Sequence, residues 1–159
     1  MSIRSSRPSP RPSRLAAAPA LAGLVLLLGA PLARAADLEV EVSGLAAAGA
    51  ASGGQVMAAA FGPDGWLKQP VATARAALAQ SRDGVVTLRL TGLPDGPVAV
   101  SVFQDMNGNG KLDRNPMGMP TEPYAFSRQA QGQFGPPSFE QAVLPAGTTR
   151  HAIRLSPQP

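Results

Sequence analysis

Three stretches of the chain alternate between apolar and polar residues, the pattern of a half-buried β-strand. In 37–45 (DLEVEVSGL), Leu38, Val40 and Val42 share one face, and Glu39, Glu41 and Ser43 share the other. In 85–91 (VVTLRLT), Val86, Leu88 and Leu90 point one way, against Thr87 and Arg89. In 98–104 (VAVSVFQ), Val98, Val100 and Val102 form the apolar face. The connection between these last two, GLPDGP at 92–97, is a tight turn signal, so the pair is expected to form a hairpin. QVMAAAF at 55–61 reads as a more fully buried strand, although its alanines also suit a helix. Gly62-Pro63-Asp64-Gly65 ends it in a turn, after which Trp66 and Leu67 cover that end of the core. The Ala-rich stretch 70–80 reads as a strand by its place between turn signals, with helix as the alternative. A last strand, 149–155, sets His151, Ile153 and Leu155 on one face. No long segment carries a 3.6-residue period. The prediction is an all-β fold, a single antiparallel Greek-key β-sandwich of about seven strands.

The first 35 residues differ in kind. A Ser/Pro/Arg-rich start (MSIRSSRPSPRPSR) precedes an apolar stretch densest at 21–28, followed by Ala33-Arg34-Ala35. That order matches a secretory signal peptide, residues 1–35, cleaved after Ala35. Residues 15–32 are nominally long enough to span a bilayer, but Pro19, Pro31 and the short Leu-rich centre argue for cleavage. The expected mature domain is therefore 36–159, periplasmic or secreted, with no transmembrane segment left. This changes the charge picture. The whole chain carries +4, yet Arg4, Arg7, Arg11, Arg14 and Arg34 all lie in the leader, which contains no acid. The remainder holds nine basic and ten acidic residues, so a nucleic-acid partner loses its electrostatic support. With no cysteine, the chain has no disulfide, no thiol nucleophile and no Cys-based metal site.

The candidate chemistry lies in the polar stretch 105–127. Asp105-Met106-Asn107-Gly108-Asn109-Gly110-Lys111-Leu112-Asp113 places oxygen-bearing side chains at alternate positions and then turns at glycine. Ca²⁺ takes six to eight hard oxygens, and alternate residues can wrap one point, so Asp105, Asn107, Asn109, Asp113 and the Lys111 backbone carbonyl are the candidate ligands. Pro116 stands where an EF-hand closes its cage with Glu, and a strand replaces the leading helix, so this is not an EF-hand. Asn115 or Glu122 could complete such a shell. A site this poor in carboxylates would bind on the order of 0.1 to 1 mM. The competing reading is turn chemistry, with Asp105 and Asp113 capping backbone N–H groups.

From Leu38 to Leu155 the chain resembles DUF2141, a bacterial family of small exported proteins. The resemblance is carried by GLPDGPVAVSVFQDMNGNGKLDRNPMGMPTEPYAFS, by GQFGPPSFEQA, and more weakly by VEVSGL, GGQVMAAAF and GW. Ala125 stands where the family motif suggests Gly, and Met106 replaces a polar residue; neither change removes a candidate ligand. The resemblance implies a prealbumin-like or carboxypeptidase-regulatory-like sandwich and no particular activity.

Other residues suggest chemistry more weakly. Met106, Met117 and Met119 with His151 could form a soft copper(I) site, but no spacing links them, and gap-filling methionines are the simpler reading. No Ser-His-Asp set is recognisable, so the protein is read as not an enzyme. The alternative, an accessory subunit of an envelope hydrolase, requires a cleft gathering Asp105, Glu122, Arg128 and His151. Four of the seven aromatics, Tyr124, Phe126, Phe134 and Phe139, fall in the Gly/Pro-rich stretch 123–139. They are either core plugs or a groove for an envelope protein, peptide or glycan. The sequence thus points to an exported, non-catalytic β-sandwich module with a candidate Ca²⁺ loop.

Overall fold

A computed structural model describes residues 36–47 and 53–156; the expected leader, 1–35, lies outside the described residues. Two sheets stack face to face. One contains β4 (Val86–Leu93), β1 (Ala36–Ser43) and β8 (Arg150–Arg154) in that spatial order. The other runs β3 (Pro70–Ala77), β2 (Gln55–Phe61), β5 (Val98–Asp105) and β6 (Tyr124–Phe126). A two-residue β7 (Val143–Leu144) pairs with the start of β5, opposite Val98 and Ala99. The fold is an all-β sandwich; among the described residues, helical structure is confined to short turns and one four-residue helix, α1 (Phe139–Ala142).

The alternating faces of the two sheets meet in one core. Leu38, Val40 and Val42 of β1, Leu88 and Leu90 of β4, and Ile153 of β8 lie against Val56 of β2 and Val100 and Val102 of β5, all at most 2% exposed. Burying each such side chain contributes roughly 1.5–3 kcal/mol, which is why alternation predicts these strands well. The Ala-rich 70–77 segment is a strand because it lies along β2 in antiparallel register, from Gln55 opposite Ala77 to Ala60 opposite Ala72. A bulge follows at Phe61.

Two expectations are corrected. β4 and β5 do not form a hairpin: β4 pairs with β1, β5 pairs with β2, and the 94–97 connection crosses from one sheet to the other. Their apolar faces contribute to one core from opposite sheets instead of lying side by side. β5 is also buried on much of its second face, and it is an inner strand, paired with β2 along one edge and with β6 and β7 along the other. The sandwich is also not wholly antiparallel, because β8 runs parallel to β1, with Val40 opposite His151 and Val42 opposite Ile153. β8 arrives from the opposite sheet, so no short hairpin forces the reversed direction. After the β2–β3 hairpin the chain returns through β4 to lie beside β1, a Greek-key return.

A second apolar cluster covers the other face of β5. Ala99, Phe126, Phe139 and Ala142 are buried there, with Trp66, Tyr124, Ala130 and Val143 packed against them. Trp66 is its hub. Its ring meets Phe61 edge-on at 5.4 Å between centroids, Phe126 at 5.8 Å and Phe139 at 6.0 Å. Its indole N–H donates to the Pro137 carbonyl at 2.9 Å. Trp66 thus packs at one end of the sandwich as expected, whereas Leu67 is exposed.

Candidate functional site

β5 ends in Gln104 and Asp105, and these two polar residues organise the connections on either side of the strand's end. The strand's apolar alternation carries Gln104 to the core side, where it is fully buried. Its Nε2 donates to the Ala46 carbonyl at 2.7 Å, and its Oε1 accepts the Ala46 N–H at 2.8 Å, so one amide fixes the chain leaving β1. Asp105, on the opposite face, is also fully buried. Its Oδ1 accepts the N–H groups of Gly108 at 2.7 Å and Asn109 at 3.1 Å. Its Oδ2 accepts Gly110 N–H at 2.7 Å and Gln55 Nε2 at 2.9 Å. Burial pushes this carboxyl up, but the donors from Gln55, Gly110, Gly108 and Asn109 outweigh it and hold the pKa below its ordinary 3.8. Gly108 and Gly110 both take φ of +77°, the left-handed backbone that aims the intervening N–H groups inward.

Two of the remaining expected ligands, Asn107 and Asn109, converge on a third, Asp113. Asn107 Nδ2 donates to its Oδ2 at 2.7 Å, and Asn109 Nδ2 reaches its Oδ1 and Oδ2 at 3.0 and 3.1 Å. The two amide oxygens face the other way: Asn107 Oδ1 accepts Asn109 N–H, and Asn109 Oδ1 accepts Lys111 N–H. Asp105, Asn107, Asn109 and Asp113 are therefore brought together. Asp105 already accepts four N–H groups, and a cation at Asp113 would require both asparagine amides to turn. Among the described residues, no three of His, Asp and Glu gather in a way that could hold a metal ion.

Glu122, too remote in sequence to be placed by spacing, does join the loop. It is only 4% exposed, and its two oxygens accept Met106 N–H at 2.7 Å and Asp113 N–H at 3.0 Å. It ties the loop's first and last turns together. Asn115 acts elsewhere. Its Oδ1 accepts both Met117 and Met119 N–H at 3.0 Å, shaping a turn that leaves Met117 and Met119 in solvent.

The aromatic stretch divides. Phe126 and Phe139 are core plugs, whereas Phe134 is fully exposed at the tip of the 131–137 segment. That tip is tight: a side chain on Gly132 would collide with the Gly135 and Pro136 carbonyl oxygens. A cleft of about 200 Å³ lies between this segment and β6, lined by Tyr124, Phe126, Gln129, Gly132, Pro137 and Ser156 among others. Beneath it, Ser127 is buried; its hydroxyl accepts Val100 N–H at 2.9 Å and donates to the Ala142 carbonyl. His151 Nε2 accepts the Arg128 N–H at 3.0 Å. The four residues expected of a hydrolase-type cleft thus form two pairs. Asp105 and Glu122 belong to the loop, Arg128 and His151 to the turn after β6, and among the described residues no hydrogen bond or ion pair joins one pair to the other. His151 likewise engages a backbone amide and none of the methionines. Ser127 escapes sequence reasoning because nothing about a serine in AFSRQ marks it as buried. Gln104 carries a signal: a polar residue occupying the next inward position of an apolar alternation.

A family model described as an uncharacterized protein conserved in bacteria, DUF2141, matches residues 40–154. The chain belongs to the DUF2141 family. The match spans β1 through β8, so the Asp105 loop, Glu122, Ser127 and the aromatic segment all lie inside the family region. No curated protein and no solved structure matches the chain. No helix among the described residues is long and apolar enough to cross a membrane.

Proposed function

We propose that this DUF2141 protein is an exported, non-catalytic module of the bacterial envelope that works by binding. One observation carries the reading. Among the described residues, every polar side chain the fold buries, Gln104, Asp105, Glu122 and Ser127, is committed to hydrogen bonds with the backbone. General acid–base or nucleophilic chemistry needs such a group free to exchange a proton with substrate. Export follows from the leader's pattern. The surface we assign to a partner is the 123–139 segment, where Phe134 stands in solvent beside the Tyr124 cleft, and a peptide or glycan of the envelope is the fitting ligand class. Trp66, the single tryptophan, reports on this region through its bond to Pro137. Titration with a proline-rich peptide or with glycan fragments should shift its emission saturably, and Phe134→Ala should weaken the response. Turnover of an ester, peptide or glycoside that vanishes in Asp105→Asn would overturn the reading.

A second reading is favoured by the convergence on Asp113: a weak Ca²⁺ site using Asp105, Asn107, Asn109, Asp113 and the Lys111 carbonyl, reached when the two asparagine amides turn their oxygens inward. At a tenfold excess over its dissociation constant, Ca²⁺ would add about 1.4 kcal/mol of stability. Thermal unfolding in EDTA and in millimolar Ca²⁺ tests it, with Asp113→Ala as the variant expected to lose the shift. An equal shift in that variant would reject the site.

A further inference from the structure

The turn that leaves β6 holds its backbone in an unusual state. Arg128 and Gln129 take φ of +59° and +53°, two consecutive non-glycine residues in the left-handed region. Such a conformation persists only where the surroundings over-determine it. Three side chains do so. Ser127 bonds Val100 and Ala142. Gln129 grips the Arg154 backbone in both directions, donating to its carbonyl at 2.8 Å and accepting its N–H at 2.9 Å. His151 Nε2 accepts the Arg128 N–H at 3.0 Å. Only the last clip can be removed by a proton, because an imidazolium has two N–H donors and no acceptor.

We propose that His151 is a pH-operated latch: protonation of its Nε2 releases the Arg128 amide, the left-handed turn opens, and the segment carrying the Phe134 tip loosens. His151 lies opposite Val40 in the parallel β1–β8 register and so shares the core-side face. The carboxylates of β1, Glu39 and Glu41, alternate to the other face, where Arg150 bonds them. The charged or titratable groups on the surrounding elements are Arg128 on the turn, Tyr124 on β6, Arg150 and Arg154 on β8, and Glu39 and Glu41 on β1. Among the described residues, no carboxylate bonds the imidazole. Burial lowers its pKa from the ordinary 6.5, so the latch is closed at neutral pH. Its contribution is fully present above the unfolded value near 6.5 and is lost as pH falls through the lower folded value. The latch depends on the turn's geometry and is independent of any ligand at the cleft.

The test is amide exchange by NMR on the ¹⁵N-labelled protein at pH 7.5 and pH 5.0, corrected for intrinsic exchange rates, with the His151 ring titration followed in parallel. In the wild type, protection of the Arg128 amide should fall at least tenfold between the two pH values, while Val102 in the core stays constant. His151→Gln, whose Oε1 can accept where Nε2 does but cannot be protonated in this range, should keep the protection at both pH values. His151→Ala should lack it at both. Unchanged Arg128 protection while the ring titrates, a ring that stays neutral to pH 5.0, or an equal pH response in His151→Gln would each overturn the latch.

Discussion

Asp105→Ala is the substitution that bears most directly on how the polar loop is built. It removes a buried carboxylate that accepts four N–H groups: those of Gly108, Asn109 and Gly110, and the side-chain amide of Gln55. A hydrogen bond to a charged group contributes about 1.5–3 kcal/mol, and a buried donor left unpaired costs about 1–3 kcal/mol. Full loss of four such bonds would exceed the stability of many small domains, but residues 107–111 are exposed and their amides can turn to water. The unrecoverable part is the burial at Gln55 and the β5 end, so the expected loss is about 2–4 kcal/mol, or roughly 10 °C in Tm for a domain of this size. Urea unfolding followed by circular dichroism at pH 7 measures it. Asp105→Asn should fall between wild type and Asp105→Ala, because its amide keeps one acceptor oxygen and turns an NH₂ toward donors. The pH dependence has a fixed sign: Asp105 is more acidic folded than unfolded, so its contribution is present above about pH 4 and is lost as pH falls through the lower folded value. Wild type and Asp105→Asn should therefore converge in acid. A loss below about 0.5 kcal/mol in Asp105→Ala, on the order of an ordinary surface change, would refute this reasoning.

The geometry fixes three further outcomes. Ser127→Ala leaves the Val100 N–H and the Ala142 carbonyl unpaired in the interior and should cost about 1–3 kcal/mol in urea unfolding, with the loss read in amide exchange at β5 and α1. Gly132→Ala forces a methyl group onto the Gly135 and Pro136 carbonyls, so the 131–137 tip must rearrange, visible as Trp66 emission and amide shifts confined to that segment. Phe134→Ser, at a fully exposed position, should leave Tm unchanged within about 1 °C and should lower binding of a hydrophobic dye if the tip is an adhesive surface.

How far these features can be read from the sequence depends on the physics behind each. β1, β4, β5 and β8 are legible because one-sided burial writes a two-residue period into the chain. That period names the buried face and not the neighbouring strand, which is why the short 94–97 connection looks like a hairpin turn and yet joins two sheets. β6 and α1, three and four residues long, are too brief to carry a period and lie among glycines and prolines. The Asp105 loop shows its spacing plainly, and its carboxylates do organise turns. Glu122 becomes visible only when the 107–121 excursion closes on itself and brings a residue 16 positions from Met106 onto that residue's amide and that of Asp113. Phe126 and Phe134 look alike in sequence. Only the second cluster over β5 separates the plug from the exposed tip.

If the buried polar side chains shape connections and are not free for chemistry, the Asp105 loop must hold its form unaided. Amide exchange of Gly108, Asn109 and Gly110, measured in EDTA and again with millimolar Ca²⁺, tests this most directly. All three amides should already be protected in EDTA, because Asp105 accepts them without any cation, and Asp105→Asn should lose most of that protection. Protection that appears only when Ca²⁺ is added would contradict the claim, and would make the ion the element that folds the loop.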